Sequence, residues 1–212
     1  MKSGLLLMDM DSTLINEEGI DLLAAEAGLG ETVANITAAA MSGNRNYYES
    51  LTDRVTLLSG QPERLFDQVR RSLTFTPGAL ELIRSLQDQD WVIGVVSGGF
   101  HDIIDPFLEP LQLNLVRANR FEIHDGRLTG QVIPPIIGPR EKAQTLNELA
   151  AKFSIPTERC VAIGDGANDR EMIQAAGIGI AFCAKPALEE LADHSIQARD
   201  LSLVLDLLQD LI

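Results

Sequence analysis

A chain of 212 residues is long enough to bury a full hydrophobic core, either as one domain or as a core carrying a small inserted one. Its formal charge of −14, from 17 Lys and Arg against 31 Asp and Glu, excludes the basic face that a nucleic-acid backbone demands. Two cysteines are too few for a disulfide framework, and the apolar run before Asp9 is too short for a signal peptide or a membrane span, so a cytoplasmic protein with no nucleic-acid or membrane partner is expected.

Leu5-Leu6-Leu7-Met8 opens the chain as a strand expected over residues 4–9, and Asp9-Met10-Asp11-Ser12-Thr13-Leu14 follows it. Residues two apart on a strand share a side with Cα atoms about 6.5 Å apart, so Asp9 and Asp11 can flank one small tetrahedral group. In-line displacement at phosphorus needs a nucleophile on one face and a proton carrier on the other, which two carboxylates supply. An ordinary acidic turn uses the same residue types, so the weight rests on motifs further along. Residues 16–73 read as helical throughout, with breaks at 28–30, 42–44 and 60–62. That is more than a crossover between strands requires, and the segment is expected to be an inserted helical cap.

Further apolar runs at 91–97, 160–165 and 177–182 are expected strands, rich in Val, Ile and Ala and bounded by Gly or Asp. Helices are expected over 76–87, 140–153, 186–191 and, closing the chain, 201–212. Residues 120–133 alternate around Asp125-Gly126, a favoured hairpin turn. Cys160 and Cys183 adjoin apolar runs and read as buried free thiols. The expected fold class is α/β: a Rossmann-like parallel sheet core of residues 1–15 and 74–212, a helical cap of residues 16–73, and a small β-hairpin.

An acidic chain repels an anionic substrate at long range, so positive charge must be supplied locally. Ser97-Gly98-Gly99 ends the second strand in a hydroxyl and two residues that let backbone N–H groups approach a phosphate. Lys142 opens the helix before the third strand, within reach of the strand ends. Gly164-Asp165-Gly166-Ala167-Asn168-Asp169 follows that strand with oxygen donors suited to Mg²⁺. In a parallel sheet ligands collect at the carboxyl ends of the strands, so these motifs are expected to converge.

In this order the motifs resemble the haloacid dehalogenase (HAD) superfamily along the whole chain. With Glu18, Arg54-Val55, Phe100, Ala118-Asn119-Arg120 and Ala181-Phe182-Cys183-Ala184-Lys185-Pro186 they are similar to its phosphoserine phosphatase family. The resemblance implies that Asp9 becomes an aspartyl phosphate and that Asp11 protonates the leaving oxygen and then activates water. It implies Mg²⁺ held by Asp9, the Asp11 backbone carbonyl and Asp165, with Asp169 behind these ligands. Ser97, Gly98 and Lys142 would hold the phosphoryl group, with Asn168 close to it. Glu18 and Arg54 suit the ammonium and carboxylate of an amino-acid head group, and Tyr47 of the pair Tyr47-Tyr48 stands where family members often carry a Phe over the substrate. The implied activity is Mg²⁺-dependent hydrolysis of O-phospho-L-serine in serine biosynthesis, with this small molecule as partner; the oligomeric state is not readable. Two alternatives stay open: a HAD phosphatase or phosphotransferase acting on another small phosphate such as phosphohomoserine, and a phospho-accepting signalling receiver. Asp11 and the cap argue against the receiver.

Overall fold

The structure is a computed structural model that describes residues 2–42 and 46–209. The chain begins with strand β1 (Leu5–Met8) and then leaves the sheet for four helices, α1 (Gly19–Glu26), α2 (Gly30–Met41), α3 (Tyr47–Leu57) and α4 (Leu65–Ser72). Helix α5 (Ala79–Asp88) returns it to β2 (Val92–Phe100), and α6 (His101–Leu108) leads to β3 (Leu115–Asn119). A hairpin of β4 (Phe121–His124) and β5 (Arg127–Val132) precedes α7 (Pro139–Phe153) and β6 (Cys160–Gly164). The chain then alternates through α8 (Arg170–Ala175), β7 (Ile178–Phe182), α9 (Pro186–Glu189), β8 (His194–Ile196) and α10 (Val204–Leu207).

Six strands form one parallel sheet in the order β3-β2-β1-β6-β7-β8. β1 is central, with Leu5 opposite both Val92 and Cys160, and all four of its side chains are fully buried. Leu6 and Met8 face a cluster with Ile93, Val95, Val161 and Ile163, whereas Leu5 and Leu7 face a second one with Val92, Val96 and Ala162. Two cores explain why the strand reads as an unbroken apolar run: helices cover both faces of a parallel sheet. Helices α5 and α6 supply Leu82, Ile83, Leu86, Ile103 and Ile104 to the first core, and α7 and α8 supply Leu146, Leu149, Met172 and Ile173 to the second. Each fully buried aliphatic side chain contributes about 1.5–3 kcal/mol, which fixes the register of β1 and with it the position of Asp9.

The α1–α4 segment enters and leaves the core at one point. Asn16 N donates to the Thr74 carbonyl at 3.0 Å and Thr76 N to the Leu14 carbonyl at 3.0 Å, around an antiparallel bridge between Ile15 and Phe75. Arg199 ties this root to the end of the chain, its Nε donating to Asn16 Oδ1 at 2.8 Å and its guanidinium reaching the Ser12 and Ile15 carbonyls at 3.3 Å. The hairpin turns at Asp125 and Gly126, both at positive φ as a tight two-residue turn requires. Its Phe121 stacks between Phe100 of the sheet and Phe66 of α4.

Several expectations need correcting. β1 ends at Met8, so Asp9 and Asp11 are presented by a turn rather than by strand alternation. β2 runs past the expected strand end at residue 97, through Gly98-Gly99 to Phe100, so the whole Ser97-Gly98-Gly99 motif is strand. β3 and β8 were not expected: β3 is a half-buried edge strand carrying Arg117, and β8 has only three residues. The closing segment is a single tight turn at Leu201–Leu203 followed by the four residues of α10, with residues 210–212 outside the described residues, as are residues 43 and 44 of the second expected break. Cys160 is buried but Cys183 only half-buried, and both are free. No helix among the described residues is long and apolar enough to cross a membrane.

Candidate active site

Where β1 stops, the chain makes one wide turn over Met10–Leu14 with Ser12 in the left-handed region at φ 55°. That conformation costs a non-glycine residue roughly 1–2 kcal/mol, and here it aims the Ser12 hydroxyl at Glu18 Oε1, 2.7 Å away. Asp9 Oδ1 accepts from Met10 N at 2.7 Å and from Lys142 Nζ at 2.7 Å. The two oxygens of Asp11 are held separately, Oδ1 by Gly19 N at 2.7 Å and Oδ2 by the Ser97 hydroxyl at 3.0 Å. Ser97 is oriented in turn by Gly99 N, 2.8 Å from its Oγ.

Lys142, in the first turn of α7, is completely buried, not solvated as an isolated lysine is by default. Its ammonium bridges Asp9 Oδ1 and Asp169 Oδ1, each at 2.7 Å. Asp169 Oδ2 accepts from the backbone N–H groups of Asp165 and Gly166 at 3.1 and 3.2 Å, so both of its oxygens are engaged within the protein. Asp165 differs: its Oδ1 is buried without a hydrogen-bond partner, as is Asn168 Oδ1.

The carboxylates of Asp9, Asp165 and Asp169 offer oxygens within 4.8 Å of one another, with Asp11 close by and Lys142 as the cation between two of them. Burial, then Asp169, pushes Asp9 up to about 8 and raises Asp165 well above the usual carboxylate range. Burial also raises Asp11, against the bonds from Gly19 and Ser97 that pull it down. Burial alone lowers the Lys142 ammonium, but Asp169 and Asp9 outweigh it and the net displacement is upward. Negative charge therefore exceeds what the lysine balances. A hard divalent cation fits the deficit, with Asp9 and the unpartnered Asp165 oxygen as carboxylate donors. Asp169, already bonded at both oxygens, holds Lys142 and the 165–166 backbone in place.

The helical segment closes this arrangement from the other side. Glu18 sits just before α1, where burial and then the Asp11 carboxylate push it up to about 8. Arg54 of α3 is buried at 6 % exposure, with Nε donating to the Ser50 carbonyl and a terminal nitrogen to Thr37 Oγ1, both at 3.2 Å. Asp9, Asp11, Glu18, Tyr47, Arg54, Gly98 and Asn168 line one cavity of about 30 Å³. Ser97 and Lys142 stand outside its lining and bond the lining carboxylates of Asp11 and Asp9, while Asp165 and Asp169 each bring an oxygen within 4.8 Å of Asp9. Gly99 of the expected Ser97-Gly98-Gly99 motif also lines it, as do Ile20 and Met41, which were not expected. Ile20 and Met41 carry only the helical apolar pattern that any core residue shows. The arrangement offers an anchored carboxylate, a second carboxyl held by neutral donors, a cluster of acidic oxygens beside a lysine and, from the helical segment, a guanidinium and a carboxyl group.

A family model described as haloacid dehalogenase-like hydrolase matches residues 6–174. A phosphoserine phosphatase of Lactococcus lactis is 45% identical over 208 residues, covering 98% of this chain and 96% of that protein. That of Streptomyces coelicolor is 47% identical over 204 residues, but there the chain spans only 50% of the relative's length. Among solved structures, a substrate-bound phosphoserine phosphatase complex superposes with a TM-score of 0.94 at 42% identity, over 98% of this chain and 99% of that one. A phospho-aspartyl intermediate analogue of phosphoserine phosphatase gives 0.94 at 43% identity over the same shares.

Proposed function

Because the chain belongs to the haloacid dehalogenase-like hydrolases, we propose that it is a Mg²⁺-dependent phosphoserine phosphatase, hydrolysing O-phospho-L-serine to L-serine and phosphate through an aspartyl phosphate on Asp9. The observation that carries the reading is that one cavity gathers Asp9 and Asp11 from the sheet with Arg54 and Glu18 from the helical segment. A phosphoryl group is met at one end and an amino-acid head group at the other.

Asp9 Oδ1 is held by Lys142 and the Met10 N–H, which leaves Oδ2 to attack phosphorus opposite the seryl oxygen. The P–O bond to serine breaks as Asp11 gives its proton to the departing oxygen. Asp11 then takes a proton from the water that cleaves the aspartyl phosphate, restoring both carboxyls. Burial keeps the protonated form of Asp11 accessible, while Gly19 and Ser97 fix its orientation. Ser97, Gly98 and Lys142 cradle the transferring group and Asn168 faces it. Mg²⁺, held by Asp9, the Asp11 carbonyl and Asp165, would neutralise phosphoryl charge beyond what one lysine can. Arg54 takes the substrate carboxylate and Glu18 its ammonium.

In this reading residues 16–73 are a cap over a core of residues 1–15 and 74–212, in a cytoplasmic enzyme whose partner is its small-molecule substrate. A cavity of about 30 Å³ has room for only a few water molecules, so the cap must part to admit substrate. The test is phosphate release from O-phosphoserine, phosphothreonine, phosphohomoserine, a sugar phosphate and an aryl phosphate, with Mg²⁺ and with EDTA. Metal-dependent preference for O-phosphoserine is expected. Turnover of the aryl ester alone would discard the serine assignment.

A further inference from the structure

Tyr47 and Tyr48 open α3, where the Asn46 side chain accepts from Tyr48 N and Glu49 N and fixes the first turn. Successive helical residues point about 100° apart, and the two rings meet edge-on at 5.6 Å, so their hydroxyls reach different places. Both places lie on residues 137–141, which run into the first turn of α7 and carry no sequence motif. The Tyr47 hydroxyl donates to the Ile137 carbonyl at 3.1 Å, and the Tyr48 hydroxyl to Glu141 Oε2 at 2.8 Å.

Each acceptor is tied onward to the phosphate end of the site. Ile137 N donates to Asn119 Oδ1 at 2.7 Å, and Asn119 Nδ2 donates to the Gly98 carbonyl at 2.9 Å. Glu141 Oε2 also accepts from Gly138 N at 3.0 Å, capping the helix whose next residue is Lys142. The packing is shaped for the rings: a Cβ on Gly98 would run into the Tyr47 hydroxyl, and one on Gly138 would lie 2.7 Å from the Tyr48 ring. The far end of α3 and the turn after it are bound elsewhere, through Thr56 to the Gly130 carbonyl at 3.5 Å and Ser59 to the Thr129 carbonyl at 3.0 Å, both on the hairpin.

We propose that Tyr47 and Tyr48 are positioning residues that form a two-point latch, holding the start of α3 closed on residues 137–141 and coupling closure to the Gly98 and Lys142 elements. The hairpin bonds make the other end of α3 the fixed one. Burial, reinforced by Glu141, pushes the Tyr48 hydroxyl up to about 12, so it stays a donor at any working pH. The latch stands on geometry alone; its kinetic consequence rests on the proposed hydrolysis of O-phosphoserine.

The test uses Tyr47→Phe, Tyr48→Phe and the double variant, which keep the rings and remove only hydroxyls. Amide hydrogen exchange of residues 46–50 is measured without substrate, beside thermal unfolding and KM for O-phosphoserine. One lost hydrogen bond corresponds to about 1 kcal/mol, or about fivefold in an opening equilibrium. Exchange at 46–50 is expected to rise about fivefold in each single variant and further in the double one, with amides of β1 unchanged and Tm within about 4 °C. KM is expected to rise by a similar factor with kcat changed less. Unchanged exchange overturns the latch whatever the kinetics. Faster exchange with KM within twofold reduces the pair to a fold contact and overturns the positioning role. A wild type that does not turn over O-phosphoserine sinks the substrate reading instead, and the exchange result then decides the latch by itself.

Discussion

The carboxylates at the edge of the sheet and the charged side chains brought by α1–α4 meet in one cavity but are held in different ways. Asp9, Ser97 and Asp169 each accept a hydrogen bond from a backbone N–H near a strand end, at Met10, Gly99 and Asp165, while Asp11 accepts from the Ser97 hydroxyl of β2 and from Gly19 N at the start of α1. Arg54 instead bonds Ser50 and Thr37, both within the helical segment, and Thr37 donates to Asp21 at 2.6 Å. The sheet-edge groups are thus fixed relative to a core of fully buried side chains, while Arg54 is fixed relative to its own helices. The first kind of support suits chemistry, which tolerates little misplacement. The second would let Arg54, in its proposed role, move with α1–α4 and keep its pose.

Substitutions on the two sides are expected to fail differently. The largest effect is expected from Asp9→Asn, which removes the proposed nucleophile and should lower phosphate release from every substrate on the order of 10⁴-fold or more; retention of a tenth of the activity would refute the assignment. Asp11→Asn keeps the shape and both bonding positions but cannot carry the proton, and a loss of roughly 10²–10⁴-fold is expected. Rapid-quench measurement should find both formation and breakdown of the aspartyl phosphate slowed, and full turnover would remove Asp11 from the reaction. Arg54→Met should cost roughly 10–150-fold in kcat/KM for O-phosphoserine, the range for a hydrogen bond to a charged group, yet leave an aryl phosphate within a few-fold. Equal losses on both esters would erase the division between chemistry and recognition. The smallest effect belongs to Thr37→Val, which removes one support of Arg54: about fivefold in KM for O-phosphoserine and none for the aryl ester.

The same division governs what could be read from the string of residues. Sheet-edge groups come from short contiguous motifs, because a strand end and its following turn supply several neighbours at once; the places of Asp9, Asp11, Ser97 and Asp165 were legible, and that of Lys142 at the strand ends followed from its company, whereas its complete burial was not legible. The central strands were legible as apolar runs because both faces of β1, β2, β6 and β7 are covered. The edge strands β3 and β8 were not, since a half-buried or three-residue strand carries neither alternation nor an apolar run. On the helical side a stripe of apolar residues gives period but not orientation. Ile20 and Met41 therefore stayed hidden among core residues of the same type, and the 137–141 segment stayed silent because it acts through a backbone carbonyl and a helix-capping carboxylate.

The bridge between Ile15 and Phe75 makes the excursion of residues 16–73 a loop closed at its base. Its two ends are hydrogen-bonded neighbours, so its length can change without shifting the register of β1 or β2, and the entropic cost of lengthening a closed loop grows only slowly. An excursion of this kind is a graft point. Another set of helices could be seated on the same root, bringing a different pair of charges to the same carboxylates, and the sheet below would keep its hydrophobic cores and its reactive groups unaltered.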